Sequence, residues 1–172
     1  MEYTIEITAY CPCWCSYCST RASTDGKHLG YAYIKEFLES FDIKTEDRIN
    51  ISGGEPLAHP DFYLILKLCE EYTKDVWVYT NALSKIRYNS SVVGDIRVEA
   101  KVCLVPGDKV YIPKNADKVH LLQLGPQGRA ENMEPADIHV SGNCVNDCES
   151  CGHRALLQAD GRIVSAPCKK EY

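Results

Sequence analysis

The stretch CPCWCSYC, residues 11–18, carries Cys11, Cys13, Cys15 and Cys18, and the rest of the chain is read outward from it. It follows directly on YTIEIT, residues 3–8, whose alternation predicts a strand. Beyond the loop, YAYIKEFLESF (31–41) sets Ile34, Phe37, Leu38 and Phe41 on one helical face. RINIS (48–52) predicts a second strand, and the motif SGGEP (52–56) closes it. Pro60 suits the first turn of a following helix, with Asp61 favourable near its positive end. That helix runs to about Tyr72, with Phe62, Ile65, Leu66 and Cys69 on the buried face. DVWVYTN (75–81) predicts a third strand. Strand–helix–strand–helix–strand implies an α/β fold: a parallel sheet joined by right-handed crossovers.

The second half has weaker periodicity. DIRVEAKVCLVPG (95–107), KVHLLQL (118–124) and ADIHVSG (136–142) are extended candidates, joined by segments without a helical period. RALLQADGRIVSAPC (154–168) predicts a hairpin about Asp160-Gly161. A βα barrel built on this plan has a pared-down second half and stays open.

At 172 residues the chain has the size of one domain, and at 45% hydrophobic it can bury a core. A net charge of −5 argues against broad electrostatic binding of nucleic acid and leaves room only for a local basic groove. No apolar run approaches the roughly 20 residues of a membrane span. The start, MEYTIEITAYC, lacks the pattern of a signal peptide, so a cytoplasmic protein is expected. In a reducing compartment, ten cysteines are expected as metal ligands or catalytic thiols rather than disulfides.

The cysteines fall into two groups. Cys11, Cys15 and Cys18 have the spacing C-x3-C-x2-C, which Cys144, Cys148 and Cys151 repeat before the hairpin, with Cys168 after it. Cys69 and Cys103 read as small buried hydrophobes. Cys13 is left over from the first group, either as a loop residue pointing away from the other three or as a redox-sensitive thiol or hydrogen donor. Zinc is an alternative for each group, either by pairing Cys15 and Cys18 with Cys148 and Cys151 or as a four-cysteine ribbon around the hairpin. His139 and His153 read as packing or solvated side chains.

C-x3-C-x2-C after a first strand, with GGEP at the end of the second, resembles the radical S-adenosylmethionine (SAM) superfamily. The resemblance implies a minimal, partial (open) βα barrel over residues 1–142, with an oxygen-sensitive [4Fe–4S] cluster held by Cys11, Cys15 and Cys18. Three thiolates leave one iron open for the amine and carboxylate of SAM. It further implies SAM contacts from Tyr17 beside the adenine and from Gly53, Gly54, Glu55 and Pro56 at the methionine amine. Thr80 and Asn81, ending the third strand, and Gln127 and Arg129 in LGPQGRAEN (124–132) would reach the ribose or carboxylate. There, Gly128 and Glu131 keep a family-like G-x-x-E spacing, with Pro126 in place of the usual aliphatic residue. For Tyr17 and Arg129, packing and a surface charge are the plainer alternatives.

Residues 143–172 resemble the SPASM or twitch extensions of that superfamily. Such an extension implies a second, auxiliary [4Fe–4S] cluster on Cys144, Cys148, Cys151 and Cys168. The implied chemistry is reductive cleavage of SAM to a 5′-deoxyadenosyl radical that takes hydrogen from a substrate. A peptide or protein side chain is the favoured substrate class. Alternatives are a glycyl-radical-enzyme activase, a synthase acting on a small nucleotide-like substrate, and a non-catalytic iron–sulfur electron carrier. A reductant such as ferredoxin or flavodoxin is implied, and a homodimer or larger partner would cover the open edge of the barrel.

Overall fold

The computed structural model describes residues 1–81, 99–104, 117–123, 129, 132 and 153–164. Gln127, the ADIHVSG segment and Cys144, Cys148, Cys151 and Cys168 lie outside the described residues.

The elements run β1 (Glu2–Thr8), α1 (Tyr31–Glu39), β2 (Arg48–Gly53), a short 3₁₀ turn (Pro56–Ala58), α2 (Phe62–Tyr72) and β3 (Asp75–Val78). Then come β4 (Glu99–Leu104), β5 (Lys118–Gln123), β6 (His153–Leu157) and β7 (Ile163–Val164). One sheet has the order β3-β2-β1-β6-β7, and β4 and β5 form a second, parallel pair. Strands β3, β2, β1 and β6 are mutually parallel, and β7 is antiparallel to β6. The α/β architecture expected from the sequence is present, and among the described residues its strands form part of a barrel.

Alternation along β1 and β2 divides the sheet into two chemically different faces. Tyr3, Ile5 and Ile7 lie on one face, in register with Ile49 and Ile51. They pack with Ile34, Phe37 and Leu38 of α1 and Phe62, Ile65 and Cys69 of α2. Each aliphatic side chain buried there contributes about 1.5–3 kcal/mol. Burial in this layer pushes the Cys69 thiol up to about 12, as suits a small apolar filler. Across the sheet stand Thr4, Glu6, Thr8 and Asn50, of which Glu6, Thr8 and Asn50 are buried. The outer face therefore holds the helices, and the inner face is polar.

Three element ends differ from the sequence expectation. Helix α1 stops at Glu39, where the Ser40 hydroxyl caps it by donating back to Phe37 O (2.7 Å). Phe41 still packs on the Tyr3 ring, 5.3 Å between centroids. Helix α2 begins after Pro60 and Asp61, since the Asp61 amide donates to His59 Nδ1 (3.0 Å) rather than joining the helix. Strand β3 ends at Val78, and Thr80 and Asn81 turn toward another partner described below.

The Asp160-Gly161 hairpin forms, and its first strand joins the main sheet. Strand β6 pairs in parallel with β1, Ile5 opposite Leu157. Ala155 and Leu157 join the apolar layer under the helices.

Candidate functional site

The site is built where β1 and β2 leave the sheet. The chain beyond Thr8 makes a long excursion that returns to β1 before α1. Its base is closed by Ala9 N→Lys27 O (2.8 Å), Cys11 N→Ser23 O (2.9 Å), Ser23 N→Ala9 O (3.1 Å) and Leu29 N→Ile7 O (2.9 Å). The cysteine loop is thereby anchored at both ends to the sheet. Cys11 is buried, while Cys15 and Cys18 are half-buried. Cys18 N bonds to Cys15 O (3.3 Å), and Cys18 Sγ lies 3.4 Å from Thr20 Oγ1. Tyr17, between them, is half-buried.

GGEP lies directly against this exit. Gly54 N donates to Thr8 O (2.7 Å) and Glu55 N to Tyr10 O (2.8 Å). A Cβ on Gly53 would stand 2.3 Å from Thr8 O, and one on Gly54 2.1 Å from Tyr10 O. Gly53 also has φ +118°, a region side chains disfavour. The glycines therefore let the end of β2 lie on the backbone of the strand that feeds the cysteine loop.

Glu55 is 1% exposed, and its carboxylate is engaged by the chain itself. Oε1 accepts from Leu57 N (3.0 Å) and Thr80 Oγ1 (2.7 Å), and Oε2 accepts from Asn81 N (2.8 Å). Glu55 thus ties the end of β2 to the end of β3, and Pro56 opens the 3₁₀ turn under it. This network draws Thr80 and Asn81 out of the strand. Asn81 Nδ2 in turn donates to Cys13 Sγ (3.4 Å), so Cys13 faces the end of β3. Burial pushes the Cys13 thiol up, and Cys11 and Cys15 add to the effect.

Arg129 is brought to the loop from 114 residues away. Its Nε donates to Cys15 O (2.7 Å), its Nη2 to Ala22 O (3.0 Å) and its amide to Cys18 O (2.9 Å). The guanidinium lies 4.5 Å from the ring centroid of Trp14.

Sequence reasoning missed Trp14, Thr8 and the pair His28 and His59. Thr8 Oγ1 meets His28 Nδ1 at 2.8 Å, and the two imidazoles stand edge to face at 4.9 Å. His59 Nε2 lies 3.0 Å from Leu29 O, and Nδ1 accepts from Asp61 N (3.0 Å). Burial lowers His28, and His59 adds to that. No local pattern marks these contacts; they exist only because the loop folds back on β1.

The model of the radical SAM superfamily matches residues 5–102, more than half of the chain and the whole of this site except Arg129. The chain belongs to the radical SAM superfamily. A PqqA peptide cyclase from Bradyrhizobium diazoefficiens is 34% identical over 82 residues, covering 46% of this chain and 20% of that protein. The chain thus aligns with about a fifth of that relative's length. No solved structure matches it significantly.

Membership of the radical SAM superfamily implies an enzyme with a [4Fe–4S] cluster, SAM and a source of electrons. The donor chemistry fits: the loop bears three thiols at cluster spacing, and its remaining thiol, Cys13, faces Asn81. Among the described residues no three His, Cys, Asp or Glu side chains converge as one metal ion would require. A cluster does not ask them to, because each thiolate takes a different iron. No helix among the described residues is long and apolar enough to cross a membrane.

Proposed function

We propose that this radical SAM enzyme modifies a side chain of a peptide or protein. The observation that carries the reading is the three-thiol loop fastened to β1, with GGEP laid on the same strand exit. The substrate class is supported by the likeness to a PqqA peptide cyclase. Cys11, Cys15 and Cys18 would hold the cluster, and Gly53, Gly54, Glu55, Pro56, Thr80 and Asn81 would line the methionine end of SAM, with Tyr17 near its adenine. When bound, the cluster and SAM supply a 5′-deoxyadenosyl radical for hydrogen abstraction.

The chain's own residues prepare the place. The loop base holds the three thiols at the strand end. Glu55 locks the ends of β2 and β3 to each other, so the groups flanking SAM are fixed before it arrives, and little reorganisation is needed on binding. The apolar layer beneath keeps water from the sheet side.

Cys144, Cys148, Cys151 and Cys168 are proposed to hold an auxiliary [4Fe–4S] cluster in a SPASM- or twitch-like segment, with zinc as the competing metal. A homodimer or larger partner is proposed to cover the barrel's open side. The decisive experiment is anaerobic reconstitution of the full chain, followed by reduction in the presence of SAM. Release of 5′-deoxyadenosine is expected, rising when a peptide substrate is supplied. A cluster-loaded, reduced chain whose EPR signal ignores SAM and which forms no 5′-deoxyadenosine would point to an electron carrier instead. Iron should fall from about eight to about four per chain when Cys11, Cys15 and Cys18 are all replaced.

A further inference from the structure

Arg129, whose place in LGPQGRAEN implies a SAM contact, engages the cysteine loop itself. Its three contacts fall on the carbonyls of Cys15, Cys18 and Ala22, spread across the C-terminal part of the cysteine loop. Within the loop, Cys15 O and Cys18 O accept only at long range, from Cys18 N (3.3 Å) and Arg21 N (3.5 Å), and the shorter bonds to both come from Arg129. A guanidinium is suited to the task because it presents several donors in one rigid plane. Its face is used as well, stacked over Trp14, whose side chain is otherwise 71% exposed. One side chain thus grips the loop from both sides of the Cys15–Cys18 segment.

We propose that Arg129 is a positioning residue that latches the cysteine loop in its ligand-ready shape, with Trp14 as the plate it closes on. The positive charge of Arg129 beside the loop also favours the more negative, reduced form of a cluster held there. The cluster-related part of this inference rests on the radical SAM reading; the latch itself does not.

The test uses the full chain as wild type, Arg129→Gln, Arg129→Lys and Trp14→Ala. Amide hydrogen exchange is followed peptide by peptide, both cluster-free and after reconstitution. Arg129→Gln is expected to accelerate exchange across residues 15–23 at least tenfold while β1 and β2 keep their protection. Trp14→Ala, a change at an exposed side chain, should accelerate the same peptides by a smaller factor. After reconstitution, Arg129→Gln should lose iron to a chelator several-fold faster and reduce at a more negative potential. Arg129→Lys keeps the charge but not the fork, so it should retain the potential and lose the exchange protection. Unchanged exchange at 15–23 in both states for Arg129→Gln overturns the latch. Should Arg129→Gln not fold, unchanged exchange in both Arg129→Lys and Trp14→Ala overturns it equally. Loss of protection in a chain that never takes up iron would leave the latch standing and sink the radical SAM reading of the loop.

Discussion

Glu55 shows how much a single carboxylate can settle. Buried without partners it would be expensive, but three donors from two strand ends meet its two oxygens. Gln at this position offers one acceptor oxygen and turns an N–H pair toward donors. Glu55→Gln should therefore lower the stability of the cluster-free chain by about 1–3 kcal/mol in urea unfolding. A residue that served only to receive SAM would leave that stability unchanged. Gly54 is a steric counterpart. A Cβ 2.1 Å from a backbone oxygen has no flexible neighbour to push aside. Gly54→Ala is expected to cost more than about 2 kcal/mol and to weaken iron uptake, because relief of the clash moves either GGEP or the root of the cysteine loop. If Gly54→Ala unfolds like wild type, the close approach of β2 to the β1 exit is not as described.

Among the elements, the β1–α1–β2–α2 run was legible because each piece carries its own period: Ile34, Phe37 and Leu38 on a helix, Ile49 and Ile51 on a strand. The element ends were less legible, because they are set by bonds to distant groups. Thr80 and Asn81 leave β3 for Glu55, and the Asp61 amide is taken by His59. The loop before β2 is another case. Asp47 is 3% exposed; its carboxylate accepts from the Met1 amine and from Lys44 N (2.9 Å). The Met1 amine first, then the Lys44 amide, holds Asp47 below the usual carboxylate range. A depressed folded value means that the stabilisation is full above about pH 4 and is lost as pH falls through the folded value. Asp47→Asn should thus cost about 1–3 kcal/mol near neutral pH, reduced by solvent screening of the half-exposed Met1 amine. The gap between variant and wild type should narrow steadily on acidification below pH 4. A gap that stays constant down to pH 2 would show that the charge of Asp47 contributes nothing.

At the scale of the molecule, the cysteine spacing and GGEP pointed to the right superfamily, but the sheet's order was hidden. Nothing local announces that a strand at 153–157 pairs with one at 2–8: parallel pairing leaves no turn between partners to read. The hairpin signal at Asp160-Gly161 was correct about the turn and silent about the neighbour. Placing β6 beside β1 makes the chain's C-terminal part a support for the very strand that feeds the cysteine loop. Leu157 is 2% exposed, opposite Ile5, and part of the layer under the helices. Leu157→Ala should destabilise the cluster-free chain by about 2–5 kcal/mol, as expected for a large-to-small change in a packed core. Ile163→Ala, in β7 at 55% exposure, is the matched control and should stay within about 0.5 kcal/mol. Both are read from urea unfolding monitored on the tryptophans, of which Trp77 lies in β3, across the sheet from β6. If the hairpin were an independent appendage, Leu157→Ala would leave the Trp77 transition untouched. A shifted midpoint there, absent from the Ile163→Ala control, would mean that the hairpin and the strand that feeds the cysteine loop fold as one unit, so that loss of either weakens the hold on the cluster loop.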